Sequence, residues 1–402
     1  MTTLLRTDVD TASPARSTAR IVGLDLARAL AVFGMFYAHV GPVSEDDSGF
    51  GSWLMSLPHG RSSALFATLA GLALALLSGG ATPRTGRSGR QALTRIVIRA
   101  ACLLALGTAL TAWGTSVDVI LAYYGLYFLL ALPFLRLSAR SLFIAAGGFA
   151  LLGPLVLHGL WYLGSDWVAA VDRVDPFAWW GNGVLWLLFF GTYPAVTWMA
   201  YVLAGMALGR LDLAATATRV RLAVAAVAAM LAGYGVSWLI GFLFPRLEAF
   251  AASSSSSMSS ESSSEISDEA LKYDFVPDSP SWLLVAESHS GTTFELVGNI
   301  GVATAVIVAA VTLLNRFRRA RWWLAPAIAV GTMSLTAYVA HIAGVWFLLD
   351  INEYGFAISP WLLWGAFVVV TMLLALTWKR FFTRGPLEYL LHAATRVAAR
   401  VR

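Results

Sequence analysis

Histidine is the side chain whose ordinary pKa lies nearest neutrality, so histidines set beside apolar runs are the first place to look for proton chemistry. The chain has six, at positions 39, 59, 158, 289, 341 and 392. His39 ends the run Tyr37-Ala38-His39 at the close of a long apolar stretch. His59 stands in Pro58-His59-Gly60-Arg61-Ser62-Ser63, just ahead of another. A His and an Arg beside a helix start make a corner that steadies an anion or a developing oxyanion, although Ser62 or Ser63 can be there only to cap the helix. His341 ends Gly331-Thr332-Met333-Ser334-Leu335-Thr336-Ala337-Tyr338-Val339-Ala340-His341. There Ser334, Tyr338 and His341 fall on one helical stripe, which suits a substrate site or hydrogen bonding between helices. Asp118, ahead of Tyr123 and Tyr124, is either a solvated acid or a carboxylate that orients a histidine. Tyr193 lies in Gly191-Thr192-Tyr193-Pro194, where the proline kinks a helix and frees a carbonyl. No two histidines have helical ligand spacing, so no metal is expected. At the far end of the His39 stretch, Asp25 and Arg28 share a helix face at i, i+3. They read as an ion pair, or Arg28 as a ligand for a phosphate group.

The elements that must hold these residues are apolar helices. Of the 402 residues, 58% are hydrophobic and only 13% charged, with a mean hydropathy of +0.70. A soluble domain carries about 25% charged residues, so the composition excludes a soluble enzyme, a disordered chain and a nucleic-acid binder. The one cysteine, Cys102, allows neither an intramolecular disulfide nor a thiolate metal cluster. A bilayer-spanning helix needs about 20 apolar residues. Ten stretches qualify: 21–43, 62–80, 96–114, 119–135, 141–162, 184–209, 222–244, 296–314, 325–349 and 360–378. The expected fold is therefore all-α, a polytopic integral membrane protein of about ten transmembrane helices. Residues 164–183 are Trp-rich and read as an interfacial loop.

Charge sets the orientation. With the N-terminus inside, 23 of the 28 basic residues fall in cytosolic segments, the positive-inside pattern. Both termini are then cytosolic. Eighteen of the 23 acids, from Glu45, Asp46 and Asp47 to Asp350 and Glu353, fall outside. They serve solubility, or line a vestibule that attracts cationic or hydroxyl-rich molecules. Residues 1–20 read as a disordered cytosolic tail and 21–384 as a single transmembrane domain. Within it, 245–295 form an extracytoplasmic loop whose Ser-rich part, 251–280, cannot order itself. Residues 385–402 suit an amphipathic helix on the inner leaflet. In this arrangement His39, His59, Asp118, Tyr193 and His341 share the outer level, with His158 and His289, while His392 is cytosolic.

The run Leu24-Asp25-Leu26-Ala27-Arg28-Ala29-Leu30-Ala31 ending at His39 resembles the first helix of multi-pass membrane acyltransferases, with Ala29 where that pattern has Gly. The stretch His59-Gly60-Arg61-Ser62-Ser63-Ala64-Leu65-Phe66 with Leu69-Ala70-Gly71 is similar to bacterial relatives of heparan-alpha-glucosaminide N-acetyltransferase. Asp118 with Tyr123, Met333-Ser334-Leu335-Thr336-Ala337-Tyr338 and Gly385-Pro386-Leu387-Glu388-Tyr389 resemble the YeiB-like family of unknown function. The resemblance covers most of residues 20–390. It implies an acyltransferase that carries an acyl group from cytosolic acyl-CoA to an acceptor across the membrane, with His39 as the membrane histidine and His59 as the nearest match to the luminal one.

On that basis His39 or His59 is the expected base, Asp118 its orienting partner, and Arg61 or Tyr193 the stabiliser, with Tyr338 and His341 lining the substrate site. Asp25 and Arg28, with the basic loop 84–99, would meet the phosphates of acyl-CoA. The expected partners are the lipid bilayer and a sugar, other glycan or amine acceptor, with no nucleic acid; a homodimer is compatible with the sequence. A bacterial plasma membrane is the expected location. Two other readings fit the same polar residues: a transporter or flippase with an outward polar cavity, and a non-catalytic membrane protein.

Overall fold

The computed structural model describes residues 21–42, 56–115, 117–162, 183–244, 280–352 and 358–401. The N-terminal tail, the acids Glu45 to Asp47, residues 164–182 of the Trp-rich loop, the Ser-rich segment up to residue 279 and Glu353 lie outside the described residues. Those described form helices and turns, with no strand among them. In chain order the helices are α1 (Val22–Val40), α2 (Arg61–Leu77), α3 (Gly86–Ala112), α4 (Leu121–Leu130), α5 (Ala139–Tyr162), α6 (Val184–Phe189), α7 (Ala195–Arg210) and α8 (Thr216–Met230). They continue as α9 (Val236–Leu243), α10 (Thr293–Arg316), α11 (Ala320–Trp323), α12 (Ala325–Thr332), α13 (Ser334–Asn352), α14 (Pro360–Phe381) and α15 (Pro386–Thr395). Proline opens α14 and α15, where a missing N–H costs nothing. Thr292 caps α10 by accepting from the Glu295 amide at 3.2 Å.

Length and apolarity alone give fewer spans than the ten expected. Five helical stretches qualify by themselves: Gly86–Ala112, Ala139–Leu160, Thr216–Leu243, Thr293–Arg316 and Pro360–Phe381. A sixth qualifies if α12 and α13, bent by 89°, count as one broken span. The other four expected spans are short, broken or diluted by polar residues. The stretch 119–135 holds only ten α-helical residues before a tighter turn at Leu132–Arg136, which contains Pro133. The stretch 184–209 is interrupted between Phe189 and Ala195, around Pro194.

The break in the ninth stretch departs from the single continuous span expected there. Met333 leaves helical geometry at φ −131°, ψ 42°. This strands the first amides of α13, since a helix start has no internal acceptors for them. Glu388 of α15 takes them: one carboxylate oxygen accepts from Leu335 N at 2.8 Å and Thr336 N at 3.2 Å, the other from Thr336 Oγ1 at 2.5 Å. The C-terminal helix is thereby fastened to the break, and Gln91 and Arg87 of α3 donate to the Val401 carbonyl beyond it.

Small residues let the central helices touch. A Cβ at Gly205 would run into the Thr68 carbonyl, and one at Gly331 into that of Asp25. This is how membrane helices pack where no hydrophobic driving force separates protein from lipid. Arg210, expected in a basic loop, is instead buried. It donates to the carbonyls of Gly80 at 2.6 Å and Leu135 and to Ser78 Oγ at 3.1 Å, closing the end of α2. α8, α9 and α14 leave large apolar side chains exposed, among them Val224, Trp238, Phe242, Leu373 and Leu374, which suits contact with lipid.

Candidate functional site

α1 and α13 bring two distant histidines together. His39 Nδ1 lies 2.7 Å from His341 Nε2, and the two ring planes are within 3° of parallel. His341 Nδ1 lies 2.7 Å from the Tyr338 carbonyl. A carbonyl only accepts, so His341 carries its proton on Nδ1 and offers a lone pair at Nε2. His39 must then donate through Nδ1. In the neutral pair this leaves His39 Nε2 as a bare lone pair, the form of a general base, with its other nitrogen held by a buried partner. Phe36 packs on the His341 ring at 4.7 Å between centroids.

Some of the other predicted residues lie near this pair, and others are held elsewhere. Asp118, His59 and His289 all lie within electrostatic reach of His39. Asp118 accepts from Thr192 Oγ1 at 2.5 Å, so the group that orients His39 is His341 and the carboxylate is held by the break before α7. His59 meets the ring of Tyr37 edge-on at 6.0 Å. Tyr338 is buried, and its hydroxyl accepts from the Ile120 amide at 3.2 Å. Tyr193 is buried too, packed edge-on against Trp198 at 5.0 Å and His289 at 5.6 Å. Arg61 donates to Tyr234 Oη and the Ser56 carbonyl, both at 3.2 Å, and lies over the Tyr234 ring.

That contact opens a network the sequence reading left aside. Tyr234, in the π-helical turn Leu231–Gly235, donates to Asn299 Oδ1. Asn299 Nδ2 donates to Tyr201 Oη at 3.0 Å and Glu295 at 3.1 Å. Glu295, buried at the start of α10, accepts from the amides of His289 at 2.8 Å and Gly291 at 2.7 Å and from Ser290 Oγ at 3.2 Å. The signals were present in the sequence: Thr292-Thr293-Phe294-Glu295 has capping-box spacing, and Asn299 follows one turn later in an apolar run. The eighth apolar stretch begins at residue 296, one position after the acid. His289 is held by this carboxylate with its ring against Tyr193 and Trp198. Burial keeps its imidazole below the usual histidine range, with Asp118 pulling the other way.

The opposite ends of the same helices are cationic. A cavity of about 1020 Å³ is lined by Arg95 and Arg99 of α3, Thr332, Thr383, Arg384, Glu388, His392 and Arg396. Arg28 is near enough for its charge to act on Arg99, and it donates to Asp25 Oδ1 at 2.9 Å. In the sequence Arg384 and Arg396 count only towards the cytosolic charge pattern, and His392 reads only as cytosolic. Their convergence depends on how Glu388 docks the last helix. Among the described residues no group of histidines and acids is arranged to hold a metal ion.

Apolar helices long enough to cross a bilayer, with a partly buried histidine cluster and a separate arginine-lined cavity, are those of an integral membrane protein. The family model described as the catalytic region of heparan-alpha-glucosaminide N-acetyltransferase matches residues 20–245, more than half of the chain, and the protein belongs to that family. Residues 273–398 match a model described as a protein of unknown function, DUF418. No curated protein matches the chain. His39, His59, Arg61, Asp118 and Tyr193 come from the first region, His289, Glu295, Tyr338 and His341 from the second, so the histidine pair and the basic cavity are each built by both.

Proposed function

We propose that the protein transfers an acyl group, acetyl in the simplest case, from acyl-CoA on the cytosolic side to a sugar amine or related acceptor on the outer side. The carrying observation is that the basic cavity and the histidine pair meet along one broken helix. Thr332 lines the cavity, and His341 pairs with His39 about 10 Å further along α13 at 1.5 Å per residue. Arg95, Arg99, Arg384 and Arg396, with Arg28 nearby, would hold the phosphates of CoA, leaving its flexible thioester arm to rise towards the histidines. His39 Nε2 would take the proton from the acceptor as it attacks the thioester carbonyl. The carbon–sulfur bond then breaks with its electron pair on sulfur. His341 holds the His39 ring and shares the positive charge. Tyr193 is the proposed donor to the oxyanion, and Arg61 stiffens the cluster through Tyr234. With the termini cytosolic, the histidine end faces outward, in a bacterial plasma membrane.

The test uses full-length protein in nanodiscs, with acetyl-CoA as donor and glucosamine as acceptor. Wild type is expected to bind acetyl-CoA and release CoA when glucosamine is added. His39→Gln should bind but not release, and Arg95→Gln with Arg384→Gln should lose binding. Wild type that binds no acyl-CoA would sink the proposal. One observation favours the second reading, a transporter: spans broken as α12–α13 are often line substrate paths. Solute movement in proteoliposomes without any acyl-CoA would favour that reading.

A further inference from the structure

His289 carries chemistry that a single base does not absorb. Among the described residues it is the one non-glycine with a left-handed backbone, at φ 62°, a conformation that proteins keep where the surroundings impose it, often at functional sites. The surroundings here are the Glu295 carboxylate, which grips the amides of His289 and Gly291. The ring is stacked over Trp198, 18° from parallel, and met edge-on by Tyr193. The Thr192 backbone is hydrogen-bonded to the ring, while the ring's Nδ1 is buried without a partner of its own. An unsatisfied buried nitrogen is costly and calls for an explanation, and a polar group of a ligand would supply one. The charged and titratable groups facing the ring are Asp118 and His59, with His39 from α1 and Glu295 beneath its backbone.

We propose that His289 is a second proton acceptor of the outer site, serving an acceptor that arrives as an ammonium ion. This rests on the transfer reading above. An ammonium must lose one proton to free its lone pair and a second as it becomes an amide. His289 Nδ1 takes the first and returns it to the outer water. His39 takes the second as the carbon–nitrogen bond forms. The carbon–sulfur bond breaks towards sulfur, and that second proton ends on the CoA thiol. The balance is ammonium plus thioester giving amide, thiol and one free proton.

The test is His289→Gly in the full-length protein in nanodiscs, since glycine adopts the left-handed backbone freely and leaves room for a ring. With acetyl-CoA and glucosamine near neutral pH, kcat for CoA release should fall roughly 100-fold, the lower range for a lost general base. KM for acetyl-CoA should stay unchanged. The deficit should shrink as the pH rises and more glucosamine is present as free amine, and added imidazole should restore activity. His289→Asn, which also tolerates this backbone, should show the same loss and relief by pH if the glycine variant does not fold. An unchanged kcat, or a loss that neither pH nor imidazole relieves, overturns the role of His289 while leaving acyl transfer standing. Wild type that releases no CoA overturns acyl transfer itself, and this role with it.

Discussion

At the residue scale the site depends on which nitrogen carries which proton. The Tyr338 carbonyl fixes the tautomer of His341, and His341 fixes that of His39. Replacing His341 by Phe keeps the packing on Phe36 and Phe367 but removes the acceptor for the His39 proton. The expected result is a kcat for CoA release lowered by roughly 100-fold, with acetyl-CoA affinity unchanged by titration calorimetry. A loss of affinity instead would mean that the pair serves binding. His392 gives a second prediction at this scale. Burial first, then Arg384, Arg396, Arg99 and Arg95, hold its imidazole below the usual range. An anion in the cavity offsets those arginines and raises it again, so binding should take up a proton. Acetyl-CoA affinity should therefore strengthen as the pH falls from about 7.5 towards the ordinary histidine pKa near 6.5 and below. Measuring His392→Gln in parallel cancels the titration of the ligand, and the variant should show a flatter dependence.

At the element scale the break at Met333 is the feature on which both sites turn. A continuous helix would have no unsatisfied amides there and no place for Glu388. Because the break exists, α15 is drawn in, and with it Arg384, His392 and Arg396 reach the cavity that Arg95 and Arg99 line from α3. Glu388→Ala removes an acceptor for three donors. Hydrogen bonds to a charged group contribute about 1.5–3 kcal/mol each at most, so a loss on the order of 2–3 kcal/mol is expected. It should appear as a lowered unfolding temperature, faster proteolysis after residue 384 and weaker acetyl-CoA binding. Full protection of the C-terminal helix in that variant would show that other contacts hold it.

At the scale of the whole molecule the two matched regions build both candidate sites together. The first supplies His39, Asp118, Arg95 and Arg99, and the second supplies His341, His289, Arg384 and Arg396. The cationic end should act collectively on a polyanion. Arg384→Gln combined with Arg396→Gln is expected to weaken acetyl-CoA binding by at least tenfold, a difference of about 1.4 kcal/mol. The affinity of wild type should fall with added salt more steeply than that of the double variant, because screening removes what the charges contribute. Equal salt dependence in the two would place the phosphates elsewhere.

What the sequence by itself determined is the material of the protein and most of the polar residues that meet at the candidate site. Apolar runs of membrane length dictate helices, because only internal hydrogen bonding satisfies a backbone in lipid. The isolated polar groups in those runs, His39, Asp118, Tyr193, Tyr338 and His341, stood out because each is expensive where it lies. Helix breaks were legible only where proline marks them, as at Pro194; the one at Met333 carries no such residue and is held by Glu388, more than fifty positions away. His39 and His341 could be assigned to one depth from the sequence, but their pairing needed α1 packed on the second half of the chain. His289 had no local pattern pointing to it, since its conformation comes from Glu295 and its ring contacts from Tyr193 and Trp198. The arginines flanking the last helix read as topology because charge counts carry no positions in space. Only the tertiary structure decided that they enclose a cavity with those of α3, since that follows from where a distant carboxylate anchors the chain.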